Sequence, residues 1–326
     1  MRRRDLLAML SAPAILSAAA RAQPTALPVV GILSPITPAE FDANMQAFRR
    51  GLRQAGLVED RHVRLELRFS GGAPDRLPAL AAQLVALRPR VIVAGSTAGA
   101  LAAQHATRDI AIVFVGVTDD PVALGLVASL ARPGGNITGF TLADDLGLIG
   151  KRLELLKDMV PGIRRVAALA NPDDSTDSSL RQYLPAAGLA TGLDVEMLEV
   201  RRRDQLAGAI TAARQRADAL FVSLSPLFNV SRVEVTTLVA QARLPAIYGF
   251  REFVAAGGLM AYGPSLAGLY GTATEYVARI LKGESPAILP VQQPTSFSFV
   301  LNLPAARAIG LDIPADLLAR ADEVIE

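Results

Sequence analysis

The chain has 326 residues, 51% of them hydrophobic and 20% charged, enough for a large core divided between two domains of ordinary size. It contains no cysteine, which excludes a disulfide framework, a thiolate metal site, a cysteine nucleophile and a lipid-modified cysteine. Its 33 Lys+Arg against 31 Asp+Glu give a formal charge of +2, and that small excess is concentrated at the N-terminus.

Arg2, Arg3 and Arg4 precede an apolar stretch from Leu6 to Ala20, and Ala20-Arg21-Ala22 fits a small-residue cleavage site. Residues 1–22 therefore read as a signal peptide cut near Ala22. The stretch contains Pro13 and falls short of the roughly 20 residues that a membrane-spanning helix needs. Arg3-Arg4-Asp5-Leu6-Leu7 also fits a twin-arginine signal with Leu6 in the usual phenylalanine position and no lysine following, so both export routes are compatible. This leader holds four arginines and one aspartate, leaving 29 Lys+Arg against 30 Asp+Glu, a net charge of −1. A nearly neutral surface without a dense basic, aromatic-flanked run gives no footprint for nucleic acid. Arg201-Arg202-Arg203 reads as a solvated turn ahead of a helix.

Val29 to Leu33 is a continuous apolar run of strand length, as expected of a strand buried on both faces. Phe41, Met45, Phe48, Leu52 and Ala55 then mark one face of an amphipathic helix, closed by Gly56. The unit repeats: strand His62–Phe69, helix Asp75–Leu87, strand Val91–Ala94, helix Ala98–Ala106, strand Ile112–Val115, helix Val122–Leu130, strand Ile137–Phe140. Five strands alternating with helices make one doubly wound lobe. A second series follows: helix Leu146–Val160, strand Val166–Ala170, helix Ser175–Ala190 interrupted at Pro185, strand Leu193–Val200, helix Asp204–Arg216, strand Ala219–Ser223, helix Val230–Ala242 and strand Ala246–Tyr248. Strand Gly258–Tyr262, helix Leu266–Leu281, strand Phe297–Leu303 and helix Ala315–Glu323 complete the chain.

The expected fold is α/β, with two doubly wound parallel-sheet lobes joined by a hinge. Lobe 1 is placed at residues 28–140 plus 258–289 and lobe 2 at 141–257 plus 290–326, which gives three connections between them and a geometry suited to closing on a ligand. No long Gly/Ser or Pro-rich linker separates the lobes.

Catalytic chemistry finds little support. His62 and His105 are the only histidines, with no metal-ligand spacing. Ser96 sits between a strand and a helix, but Ala94-Gly95-Ser96-Thr97-Ala98 lacks the flanking glycines of a nucleophile elbow. Neither dinucleotide nor P-loop fingerprints follow the first strand, and Pro133-Gly134-Gly135-Asn136 reads as a turn. No cofactor is expected. What remains is a set of hydrogen-bonding and aromatic residues at the carboxyl ends of parallel strands, where open α/β sheets bind ligands. Ser34, Ser96 and Thr97, Thr118 and Asp119, Asn171 and Asp173, Phe228 and Asn229, and Tyr248 each follow or end a strand. Hydroxyls and helix-start N–H groups suit a carboxylate, and Asp119 suits an ammonium. The same residue types are ordinary helix caps, so the set gains weight from its repetition in both halves.

Several strings together resemble one family. They are the leader, Asp75 to Ala81, Asp120-Pro121-Val122 running on to Gly125 to Gly139, Lys151-Arg152-Leu153-Glu154-Leu155-Leu156, Tyr248 to Phe253, Ala255 to Met260, and Val291-Gln292-Gln293-Pro294-Thr295 to the end. The chain resembles the ABC transporter substrate-binding proteins related to the tryptophan-binding importer component. This resemblance implies a type I periplasmic-binding-protein fold, like that of the leucine/isoleucine/valine-binding proteins. It also implies a small-molecule ligand between the lobes, a periplasmic location, and ABC permease and ATPase subunits as partners. By the same resemblance Ser96, Thr97, Thr118 and Asp119 would contact an amino-acid-like head group, and Asn171, Phe228, Asn229 and Tyr248 would close from the second lobe. A sensory domain reporting to a membrane receptor and an exported enzyme are the rival readings.

Overall fold

The computed structural model describes residues 27–142, 146–174, 177–295 and 297–326, so the expected signal peptide lies outside the described residues. Two sheets organise the chain. The first contains β1 (Val29–Ser34), β2 (Arg64–Phe69), β3 (Val91–Gly95), β4 (Ala111–Val117) and β5 (Ile137–Thr141) in the order β2-β1-β3-β4-β5, all parallel. The inner strands β1, β3 and β4 are buried along nearly their whole length, which is why their sequences are continuous apolar runs. Edge strand β2 instead alternates Arg64-Leu65-Glu66-Leu67-Arg68.

The second sheet contains β6 (Arg165–Ala170), β7 (Asp194–Glu199), β8 (Ala219–Val222), β9 (Ala246–Tyr248), β10 (Met260–Gly263), β11 (Ser298–Asn302) and β12 (Glu323–Ile325). Its order is β12-β11-β10-β9-β8-β6-β7, so β6 to β10 repeat the winding of the first sheet. Among the described residues only β10 and β11 pair antiparallel.

The lobe boundaries differ from the expected ones in two places. Residues 258–263, expected in the first lobe, belong to the second, because β10 pairs with β9 and β11. The chain rejoins the first lobe at helix Leu266–Leu281, which packs on helix Asp42–Gln54. It then stays there past Pro290: Gln292 bridges Phe140, donating to Gly139 O at 2.9 Å and accepting from Thr141 N at 2.9 Å. The three crossings therefore fall between β5 and helix Leu146–Met159, between β10 and helix Leu266–Leu281, and between Gln292 and β11. At the second of these, fully buried Arg152 donates through Nε to Tyr262 O at 2.8 Å and lies over the Phe221 ring at 5.7 Å.

Three helical expectations are also revised. Val122–Leu130 is a string of turns, with Leu124 N donating to Asp120 O and Leu126 N to Pro121 O, because Gly125 adopts φ +68° and ends any helical run. Helix Ser178–Thr191 continues through Pro185. The last helix stops at Arg320, and Glu323–Ile325 instead joins the sheet beside β11.

Helices Asp42–Gln54 and Leu266–Leu281 approach closely at Gly51. A Cβ there would lie 2.3 Å from Thr274 Oγ1 and 2.5 Å from Gly271 O, and the second contact is backbone that cannot swing away. Gly51→Ala is therefore expected to destabilise the first lobe by about 1–3 kcal/mol. Denaturant melts of the two proteins check this, and an unchanged midpoint would contradict the packing.

Candidate functional site

Parallel winding sends every strand-to-helix loop of both sheets to a carboxyl edge, and the two edges face one another across a cleft. A pocket lies in that cleft, lined from both lobes. The first lobe contributes Ser34, Pro35, Ile36, Phe41, Asn44, Gly95, Ser96, Val115, Gly116, Thr118, Leu142, Leu266 and Tyr270, and the second Leu224, Pro226, Asn229 and Phe250. Most of this wall is apolar.

Ser96 begins helix Ser96–Ala106 at φ +65°, a left-handed conformation that costs a non-glycine residue energy and turns the chain sharply from β3 into the helix. Its Oγ accepts from Gly99 N at 3.3 Å, at the positive end of the helix dipole. Neither histidine lines the cavity; His62 accepts from Val58 N at 3.1 Å in an exposed turn.

Beside the cavity, at the end of β4, lies a charged cluster. Thr97 Oγ1 donates to Asp119 Oδ2 at 2.9 Å, and Ser178 Oγ of the second lobe donates to Asp119 Oδ1 across the cleft. Burial pushes the Asp119 carboxyl above the ordinary carboxylate range; the Thr97 hydrogen bond opposes this, nearby Asp174 adds to it, and Arg181 opposes it. Arg181 stands one helical turn beyond Ser178, and its Nη1 is buried with no hydrogen-bond partner among the described residues. Further out, Glu40 and Arg232 pair across the lobes at 3.1 Å, both largely shielded, with Thr37 N and Oγ1 holding the other carboxylate oxygen.

The expected site residues divide accordingly. Ser34, Ser96, Thr118 and Asn229 line the cavity, and Thr97 and Asp119 adjoin it through Thr118. Asn171 braces the loop after β6, its Oδ1 accepting from Asp173 N at 3.1 Å, while its own N–H donates to Asp177. Three expectations are corrected. Asp173 pairs with Arg201 on the surface, with 61% of its side chain exposed. Phe228 is fully buried in the core, on the inner side of the short helix Pro226–Val230. Tyr248 is fully buried too, stacked on Phe253 at 4.7 Å, and faces a separate small void within the second lobe. From the second lobe it is Phe250, two positions past the end of β9, that reaches the cleft. Sequence reasoning also missed Phe41, Asn44 and Tyr270, which lie on helices rather than in strand-end loops.

Two wound α/β lobes, joined three times at their carboxyl edges around one cavity, define a two-lobed binding protein of the type I periplasmic-binding fold. The chain belongs to the ABC transporter substrate binding protein family, whose model matches residues 29–325. It is similar to a tyrosine-binding protein of Clostridioides difficile, 25% identical over 86% of this chain and 81% of that one. Among solved structures it resembles a conserved domain protein from Vibrio cholerae, with 27% identity, TM-score 0.85, and coverage of 91% of this chain and 99% of the other. It also resembles a Streptococcus pneumoniae ABC domain in complex with L-Trp, with 24% identity, TM-score 0.85, and coverage of 92% and 100%. A ligand-free, open substrate binding protein from Clostridium difficile superposes less well, at 24% identity and TM-score 0.68 over 92% and 99%.

A carboxyl whose value is raised by folding contributes stability that is fully present below its unfolded value and is lost as pH rises through its folded one. The free protein should therefore gain stability as pH falls through the Asp119 transition, relative to Asp119→Asn, which cannot titrate there. Parallel melts of the two proteins from pH 7 to 4 check this; identical pH profiles would contradict it.

Proposed function

We propose that this protein is the exported receptor of an ABC importer and that it closes on a free amino acid. The α-ammonium pairs with Asp119. The carboxylate takes the N–H groups at the start of helix Ser96–Ala106 and the unpartnered Nη1 of Arg181, and the side chain fills the apolar cavity toward Phe41, Tyr270 and Phe250. Ser34, Thr97, Thr118, Asn171 and Asn229 orient these groups or the loops that carry them. The observation that carries the reading is the juxtaposition of an acid, a buried unpartnered guanidinium nitrogen and an apolar hole within one inter-lobe cleft. Such a set matches an amino acid's two opposite charges and its side chain without supplying a base, nucleophile or metal.

The tyrosine-binding relative and the L-Trp complex support an amino acid as the ligand class. At equal identity, the chain fits the L-Trp complex better than the open relative, which supports reading the Asp119–Ser178 and Glu40–Arg232 contacts as those of a closed state. The leader over residues 1–22 and the absence of cysteine support a periplasmic protein without a lipid anchor, delivering its ligand to a membrane permease driven by an ATPase. No cofactor is needed, because function lies in the ligand's differential affinity for closed over open lobes.

Calorimetric titration of the twenty common amino acids tests the proposal. At least one should bind, and at about 100 times its dissociation constant it should add roughly 2.7 kcal/mol to the unfolding free energy. Asp119→Ala should weaken that ligand at least thirtyfold, as expected when one member of a buried charge pair is removed. Failure of every amino acid to bind, or full affinity in Asp119→Ala, would overturn the assignment.

A further inference from the structure

The cavity wall is apolar except at a few places, and Asn44 and Tyr270 are two of them. Asn44, on helix Asp42–Gln54, is 4% exposed and lines the cavity; Tyr270, on the adjoining helix Leu266–Leu281, is 2% exposed and lines it too. Among the described residues neither side chain makes a hydrogen bond to protein. Their polar atoms are open to the cavity rather than sealed in the core, so a ligand group there can reach them.

Both groups are held rigidly. Phe41, one turn before Asn44, meets the Tyr270 ring edge-on at 4.9 Å and 88°, and packs on Phe69 at 5.5 Å. The Tyr270 hydroxyl extends over Gly95 at the end of β3, where a Cβ would stand 2.5 Å from its oxygen; the glycine leaves the room that the hydroxyl takes. Asn229 lines the cavity from the second lobe, and no hydrogen bond of its side chain occurs among the described residues.

Position along the sheet separates Asn44 from the charged cluster. Asp119 lies beyond β4, whereas Ser34 to Ile36 beneath Phe41 and Asn44 lie beyond β1, with β3 between them. Two strand spacings make about 10 Å. A ligand anchored at Asp119 therefore presents the far end of its side chain to Asn44, and the Tyr270 hydroxyl over Gly95 stands between the two ends.

We propose that Asn44 and Tyr270 are specificity-determining residues that read a hydrogen-bonding group on the ligand's side chain, so that the receptor selects amino acids with a polar tip on a largely apolar side chain. The inference rests on the amino-acid reading of the cleft. A site built to hydrogen-bond a substrate O–H or N–H rejects the analogue lacking it far more strongly than an apolar pocket rejects a missing methylene. With Asn229 arriving from the other lobe, the same group also favours closure.

The test is a set of calorimetric dissociation constants for near-isosteric pairs: tyrosine against phenylalanine, glutamine against methionine, and tryptophan against its benzothiophene analogue. For the wild-type protein the polar member of at least one pair should bind tenfold tighter or more. Tyr270→Phe keeps the ring packing and Asn44→Leu keeps the volume. In one or both, the preference should fall below about threefold while the apolar member keeps its affinity. Apolar members binding as tightly as polar ones, or a preference untouched by both substitutions, overturns the side-chain assignment while leaving the amino-acid reading intact. If no member of any pair binds, polar or apolar, the amino-acid reading itself fails and this assignment with it.

Discussion

Parallel strands put all their carboxyl ends on one edge, and in this chain every passage between the lobes happens at that edge. β5 and β10 both leave their sheets there. The third passage enters from the same side, so β11 has to start at the carboxyl edge and run back against β10, which accounts for the one antiparallel pairing among the described strands. Buried Arg152, bonded to Tyr262 O just before the second crossing, ties that segment to the second lobe's helix Leu146–Met159.

The cleft is chemically graded along the sheet. Its β4 end carries Asp119, Thr97, Ser178 and the Arg181 guanidinium, where burial makes each charge depend on a partner. Its β1 end carries Phe41 and Tyr270, whose edge-on contact fixes a wall of low polarity. An amino acid has the same gradient within one molecule, two charges at one end and a side chain at the other. The Glu40–Arg232 pair links the lobes outside both regions.

Much of the architecture was legible because burial leaves a direct signature in sequence. β1, β3, β4, β6 and β8 are unbroken apolar runs of strand length, and helix Leu266–Leu281 shows its buried stripe plainly. Sheet membership was not legible for Met260–Gly263, since a strand's partner is set by long-range pairing that local periodicity does not encode. Val122–Leu130 has a helix-like composition, and Gly125 with φ +68° was the one local sign that it turns instead. Topology dictates where the strand-end residues of the first lobe go, and Ser34, Ser96 and Thr118 line the cavity. Tyr248 was misplaced because the last strand residue still belongs to the sheet's packed interior, whereas Phe250 in the following loop reaches the cleft. Phe41, Asn44 and Tyr270 were hidden for a different reason: on an amphipathic helix, a residue that faces a ligand cavity has the same spacing as one that faces the core.

The proposed function depends on the lobes shutting around a guest. The most direct measurement is the distance between spin labels placed on exposed residues of opposite lobes, such as Arg108 and Arg214, read by pulsed electron paramagnetic resonance with and without amino acid. The account predicts a longer or broader distribution in the empty protein that collapses to a single short distance when a binding amino acid is added. A distribution unchanged by a ligand that calorimetry shows to be bound would contradict it.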